Sequence, residues 1–274
     1  MGDSRSTAFE PGAISDRSAA AVSSDEGSPS RDHPDDAVDP SDTPEPFDAP
    51  DPTAERERIR GFIEDRVAAA DGLIVNMSGG LDSTVTAALA VEALGADRVY
   101  GLILPCNKIG APHARDAEAL ADALGIDHDT VHLQPLFAQF GAVAPDRFDL
   151  HDEPILSGNA IARLRMAMAY LAANATNRLV CGTTNRSEHL LGYVTKHGDG
   201  AADLLPLGHL YKTDVRALAA ELDVPDFVVE KPPTAGFLPG QRDADERTVT
   251  DLLARHRASA HKRTTPPMPT GRGE

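Results

Sequence analysis

Cysteine is scarce in this chain of 274 residues: only Cys106 and Cys181 carry a thiol, far apart and each among apolar neighbours. A disulfide framework or zinc site would need more cysteines at closer spacing, so both are expected to be buried thiols in strands. No HExxH or similar histidine spacing occurs. His128 and His132 are four apart in a segment that reads as a strand, where that separation spans about 13 Å and excludes a shared metal. No run approaches the roughly 18 to 20 apolar residues of a membrane helix. The first apolar stretch is short and set among Asp and Ser, unlike a secretory signal, so a cytoplasmic protein without a membrane partner is expected. The opening Met1–Ser6 fits a myristoylation pattern short enough to match by chance.

Lysine is scarce too. The only lysines are Lys108, Lys196, Lys212, Lys231 and Lys262, against 26 basic residues in all. With a net charge of −17 and no basic stripe, nucleic acid is not expected as a partner. An acidic, lysine-poor chain fits a salt-rich cytoplasm, though a GC-rich genome would favour Arg as well. Where lysine persists against this bias, a specific chemical need is expected.

The acidity is uneven. Residues 1–52 hold 13 acidic and 3 basic side chains, with Ser, Pro and Ala but no apolar period, and such a stretch cannot offset its ordering entropy. It is expected to be a disordered acidic tail, followed by one domain over 53–265 and a loose end over 266–274. The 41% hydrophobic content is enough for a real core. A helix is expected from Pro52 or Thr53, with Ile59, Phe62, Ile63 and Val67 as its apolar stripe. Strand-like and helix-like segments then alternate: strands over 73–77, 98–104, 130–133 and 178–182, helices over 83–94, 114–124, 158–174, 213–222 and 245–260. That alternation predicts an α/β fold, a doubly wound parallel sheet with flanking helices.

The first motif is Ser78-Gly79-Gly80-Leu81-Asp82-Ser83, placed where a strand ends and a helix begins. Two glycines let the backbone turn tightly and approach an anion, and the helix start offers free N–H groups and a favourable dipole. Ser78 and Ser83 add hydroxyl donors. Asp82 has the wrong sign for phosphate, which implies a divalent cation between them. This is not a Walker loop, which ends Gly-Lys-Ser/Thr. The hexapeptide resembles the SGGxDS loop of the ATP-pyrophosphatase ligases, which cleave ATP to AMP and pyrophosphate.

Further blocks narrow the resemblance. Gly158-Asn159-Ala160-Ile161-Ala162-Arg163-Leu164-Arg165-Met166, then Gly182-Thr183-Thr184-Asn185-Arg186-Ser187-Glu188, then 192–200, Ala202–Leu207, Tyr211–Arg216, Lys231–Gly236 and His261–Arg263 follow in the order of the ammonia-dependent NAD synthetases. The resemblance covers about 55–265. It implies an amide-forming ligase that adenylates the carboxylate of deamido-NAD and lets ammonia displace AMP. It also implies a Rossmann-like fold, ATP as co-substrate, Mg²⁺ as cofactor and a homodimer. By position, Ser78, Gly79, Gly80, Leu81, Asp82, Ser83, Thr183, Lys212 and Thr234 would bind ATP. Asp82 and Glu188 would hold Mg²⁺, and Asp82, Lys212 and Asp203 would be catalytic. Arg163, Lys196, Asp203, His261 and Lys262 would bind deamido-NAD, with His189 and His197 at most lining the site.

The pattern departs from the family after residue 236. Gly240-Gln241-Arg242-Asp243-Ala244-Asp245-Glu246 runs almost directly into the last helix, where the family has a longer stretch that helps close the site. Two other readings share the first motif: another ATP-pyrophosphatase ligase, and a dinucleotide-binding paralogue without turnover. RNA thiolation would favour a reactive cysteine and a basic surface, and neither is present.

Overall fold

The computed structural model describes residues 49–106, 110–145, 147–148, 150, 153–231 and 256–262. The acidic stretch, Thr234, the departure after 236, most of the helix expected over 245–260 and the end after 262 lie outside these residues.

The apolar run after residue 71 forms β1 (Gly72–Asn76), in which residues 72–75 are buried. Burial of every side chain is what a parallel strand covered on both faces requires. β1 pairs in parallel with β2 (Val99–Ile103), Leu73 opposite Val99, and with β4 (Arg178–Cys181), Leu73 opposite Leu179. β2 pairs in parallel with β3 (Asp127–Thr130), Tyr100 opposite Asp127, giving the order β3-β2-β1-β4.

Parallel neighbours need crossover connections, and helices supply them. The described helices are α1 (Pro52–Arg66), α2 (Leu81–Leu94), α3 (Gly110–Leu124), α4 (Gln134–Val143), α5 (Pro154–Thr176), α6 (Arg186–Leu191), α7 (Lys212–Glu221) and α8 (Asp226–Val229). α1 begins where expected: the Asp51 side chain accepts from the Thr53 N–H (3.1 Å), and Pro52 occupies the first turn, where no helical donor is lost. Its stripe of Ile59, Ile63 and Val67 is buried, with Phe62 packed partly behind it.

Alternation along the strands builds two cores. Leu73 and Val75 of β1 pack with Ile59 and Ile63 of α1, Val85 and Leu89 of α2 and Leu218 of α7. Ile74, between them, turns to the opposite face with Val180 of β4 and Ile161, Ala169 and Ala173 of α5. Each fully buried Ile or Leu contributes about 1.5–3 kcal/mol. Helices on both sides of a parallel sheet are the doubly wound arrangement that the sequence predicts.

Three local expectations need correction. β3 spans 127–130 rather than 130–133: its side chains alternate exposed and half-buried at the sheet edge, so it lacks an apolar signature, and Leu133 instead caps the start of α4. His128 therefore lies on β3 and His132 beyond it. Cys181 ends β4 as expected, but Cys106 lies past the end of β2; both thiols are buried. α4, α6 and α8 were not foreseen, two of them being only four to six residues long. No described helix is long and apolar enough to cross a membrane.

The sheet order places a switch between β1 and β4. The chain leaves β1 toward β2 and β3, then returns through α5 to β4 on the other side. Loops at the carboxyl ends of β1 and β4 diverge there and leave a crevice, where open α/β sheets bind ligands.

Candidate active site

That crevice holds a cavity of about 310 Å³ lined by residues 76–83 after β1, residues 180–184 after β4, Glu188, Asp199, Lys212, Lys231 and part of α5. The first wall is the glycine loop. Gly79 has φ +70°, and a Cβ there would lie 2.5 Å from the His113 carbonyl oxygen, so both backbone conformation and space demand glycine. Gly80 is the N-cap of α2 and has no side-chain cap. Its carbonyl accepts from Ser83 Oγ (3.1 Å), Thr84 Oγ1 (2.8 Å) and Thr84 N–H (3.1 Å). Ser78 and Ser83 hydroxyls lie 3.1 Å apart, bracing the turn. The first-turn amides of α2 have no carbonyl within the helix to bond and face the crevice end of the sheet, a fit for an oxyanion.

The second wall is the start of α6. Asn185, fully buried, caps it: its Oδ1 accepts from the Glu188 N–H (3.0 Å), while Glu188 Oε2 accepts from the Asn185 N–H (3.2 Å). The same Asn185 donates through Nδ2 to Asp82 Oδ1 (3.1 Å), joining the two loops. Asp82 Oδ2 is ion-paired with Lys212, the first residue of α7. The Glu188 carboxyl is pushed up to about 8, first by burial and then by the charge of Asp82, against the pull of Lys212. Two facing carboxylates, one of which the fold can scarcely ionise alone, fit a hard divalent cation that bonds one or two carboxylates together with substrate phosphates. Among the described residues no cluster of three or more His, Cys, Asp or Glu converges.

Ser78, Gly79, Gly80, Leu81, Asp82, Ser83, Thr183, Glu188 and Lys212 thus surround one cavity. Arg163, Lys196, Asp203, His261 and Lys262 are not among its lining residues, nor are His189 and His197. Arg163 Nε donates to the Lys196 carbonyl (3.3 Å). The Lys262 ammonium donates to the Gly192 and Val194 carbonyls (2.7 Å each), and burial lowers its pKa. Asp203 accepts from the Val180 N–H (2.7 Å) and Tyr170 OH (3.3 Å) at the edge of β4. His261 lies on an exposed 3₁₀ turn.

The chain belongs to the NAD synthase family. The family pattern matches residues 55–265. The NH3-dependent NAD synthetase of Methanosarcina mazei is 44% identical over 191 residues, 69% of this chain and 74% of that one. Its Halobacterium salinarum counterpart is 42% identical over 208 residues, 73% of this chain and 76% of the other. Among solved structures, NMN synthetase from Francisella tularensis superimposes with a TM-score of 0.73 at 35% identity, over 80% of this chain and 98% of that one. The NH3-dependent NAD synthetase of Campylobacter jejuni does so with 0.69 at 26% identity, over 81% and 100%. The family's known reaction is ATP-dependent amidation of deamido-NAD, and its members are ligases.

Within this NAD synthase fold further polar residues that sequence reasoning had not singled out stand at the cavity, as Asp199 and Arg165 do, or directly behind it, as the buried Asn185 does. Asn185 carried a visible signal, a capping residue three before a Glu. Asp199 and Arg165 stood inside the quoted blocks beside the residues chosen. Asp199 accepts from the Thr195 N–H (2.7 Å) and its carboxyl is raised, by burial above all. Arg165 donates to the Leu104 carbonyl (3.1 Å). Only the fold separates it from Arg163: two residues apart on a helix, they face different ways.

Proposed function

We propose that this chain forms NAD from deamido-NAD, ATP and ammonia through an acyl-adenylate, releasing pyrophosphate and then AMP. The observation that carries this reading is the juxtaposition of the glycine loop and its uncapped helix start with Asp82, Glu188 and Lys212 around one cavity. In the first step a carboxylate oxygen of the substrate attacks the α-phosphorus of ATP, and the bond to the β-phosphate oxygen breaks. The loop amides and the hydroxyls of Ser78 and Ser83 hold the phosphate oxygens, and Lys212 offsets the negative charge that builds on the departing pyrophosphate. Asp82 and Glu188 would hold Mg²⁺, which supplies positive charge to the phosphates. Thr183, beside the mouth of β4, and Thr234 are assigned to the adenosine half.

In the second step the ammonia nitrogen attacks the acyl carbon, the carbon–oxygen bond to AMP breaks, and a proton leaves the nitrogen. We assign Asp199, a carboxylate lining the cavity, to accept it. Arg163, Lys196, Asp203, His261 and Lys262 are assigned to deamido-NAD, outside the cavity where the rest of a dinucleotide would extend. Asp203 acts there by fixing the strand edge as well as by charge.

Finer attributes follow the same reading. A homodimer is supported by exposed apolar side chains on α4 and the start of α5, Leu136, Phe140 and Val143 with Ile155 and Leu156, since apolar surface of this kind is what an interface covers. The acidic, lysine-poor composition supports a salt-rich cytoplasm as its setting.

The test is NAD formation by the purified chain in high KCl with ATP, Mg²⁺, deamido-NAD and an ammonium salt, read through a dehydrogenase. Ammonium-dependent NAD with matching pyrophosphate is expected; ATP and deamido-NAD bound without turnover would indicate a non-catalytic paralogue. Nicotinate mononucleotide belongs in a parallel arm because the superposition on NMN synthetase spans 98% of that chain. Preference for it would replace deamido-NAD as the substrate while leaving the two steps intact.

A further inference from the structure

Lys231 follows α8 and reaches back to the glycine loop. Its ammonium donates to the Gly79 carbonyl (3.1 Å) and pairs with Asp116 of α3 (2.7 Å). The lysine side chain is 20% exposed and lines the same cavity. The loop is pressed directly onto the start of α3: the His113 carbonyl leaves no room for a Cβ at Gly79, and Asp116 lies beside it.

The carbonyl that Lys231 grips decides which way the next amide points. No cis peptide occurs among the described residues, so the Gly79 C=O and Gly80 N–H share one trans plane and point in opposite directions. Holding the carbonyl toward α3 directs the Gly80 N–H to the other side, where Ser78 Oγ accepts from it at 3.3 Å. A glycine pair resists rotation of that plane poorly by itself. A compact ammonium with three donors can satisfy one carbonyl and one carboxylate and keep a third donor for the cavity, which a planar guanidinium does with less freedom. Its survival in an arginine-biased chain agrees with such a need.

We propose that Lys231 is a positioning residue for ATP: it locks the Gly79–Gly80 peptide in the orientation that presents the phosphate-binding amides, and Asp116 holds it there. This rests on reading the loop as the phosphate site. It is tested on the full chain with Mg²⁺ by measuring KM for ATP, KM for deamido-NAD and kcat in wild type, K231M, K231R, D116N and the K231M/D116N double variant. K231M raises KM for ATP about tenfold, the loss of roughly 1.4 kcal/mol, while KM for deamido-NAD stays within about twofold. K231R recovers part of the loss, and adding D116N to K231M adds nothing, since residues acting through one contact are not additive. An unchanged KM for ATP in K231M overturns the proposal, as does an equal rise in both KM values, which is what general loosening of the fold would give. Should K231M not fold, D116N decides: a KM for ATP raised about threefold supports the lock and an unchanged one overturns it. Failure of the wild-type chain to bind ATP removes the phosphate-loop reading itself, a separate outcome.

Discussion

Asp82→Asn is expected to lower pyrophosphate release at saturating ATP and deamido-NAD by about a thousandfold, with the fold intact. Asn still accepts from Asn185 Nδ2, so the bridge between the two loops survives. What disappears is the charge that pairs with Lys212 and, with Glu188, makes a site for a divalent cation. Glu188→Gln is expected to act similarly and to carry a second signature. The Glu188 carboxyl is raised to about 8, first by burial and next by Asp82, whereas an unfolded chain ionises it near 4.5. The folded protein without metal therefore holds a proton that the unfolded chain releases, so this group's stabilising contribution is complete below pH 4.5 and is lost as pH rises through about 8. Binding of Mg²⁺ must expel that proton, so affinity for Mg²⁺ and ATP rises with pH across this window, with proton release measurable by titration calorimetry in two buffers. Glu188→Gln flattens the dependence. Turnover unchanged in both variants would remove the metal assignment.

Lys212→Met is the second large effect, a fall in kcat of roughly a hundred- to thousandfold. Lys212 is three-quarters buried, and its backbone N–H is anchored by Ser187 Oγ (3.3 Å), so its ammonium is fixed in advance beside the carboxylate pair. Pre-set positive charge of this kind stabilises the departing pyrophosphate more than it stabilises bound ATP. The expected result is an equal loss in kcat and kcat/KM for ATP, the mark of an interaction made in the transition state. A rise in KM alone would make Lys212 a ground-state phosphate contact. Loss of the cation also leaves Asp82 and Glu188 without the charge that competes for them, so the variant is expected to need less Mg²⁺ for half-maximal activity, which a metal titration reads directly.

The structure also changes the standing of several cations. Lys262 and Arg163 are engaged with backbone carbonyls of residues 192–196, so part of their role is to shape that loop. Spacing could not reveal this, because an ammonium needed by a carbonyl and one needed by a substrate carboxylate look the same in a sequence. Asp199 and Asp203 show the same difficulty. They stand four residues apart in neighbouring blocks, and only the fold puts Asp199 at the cavity and Asp203 on the backbone of β4.

Some of the protein was decided by sequence alone. Apolar runs that alternate with helical stripes leave few options besides a two-sided parallel sheet, because continuous burial along β1 needs helices on both faces. The glycine loop was legible because φ +70° and the lack of room beside His113 can be met only by glycine. What tertiary structure alone decided is which distant residues meet. Lys212 lies 130 positions from Asp82, and Lys231 lies 152 from Gly79. Their contacts exist because the sheet order sets β4 beside β1, and no local propensity encodes a neighbour across a sheet. Edge strand β3 and short α6 and α8 escaped for a related reason: their side chains are polar or few, and it is the packed core, not their own periodicity, that holds them in place.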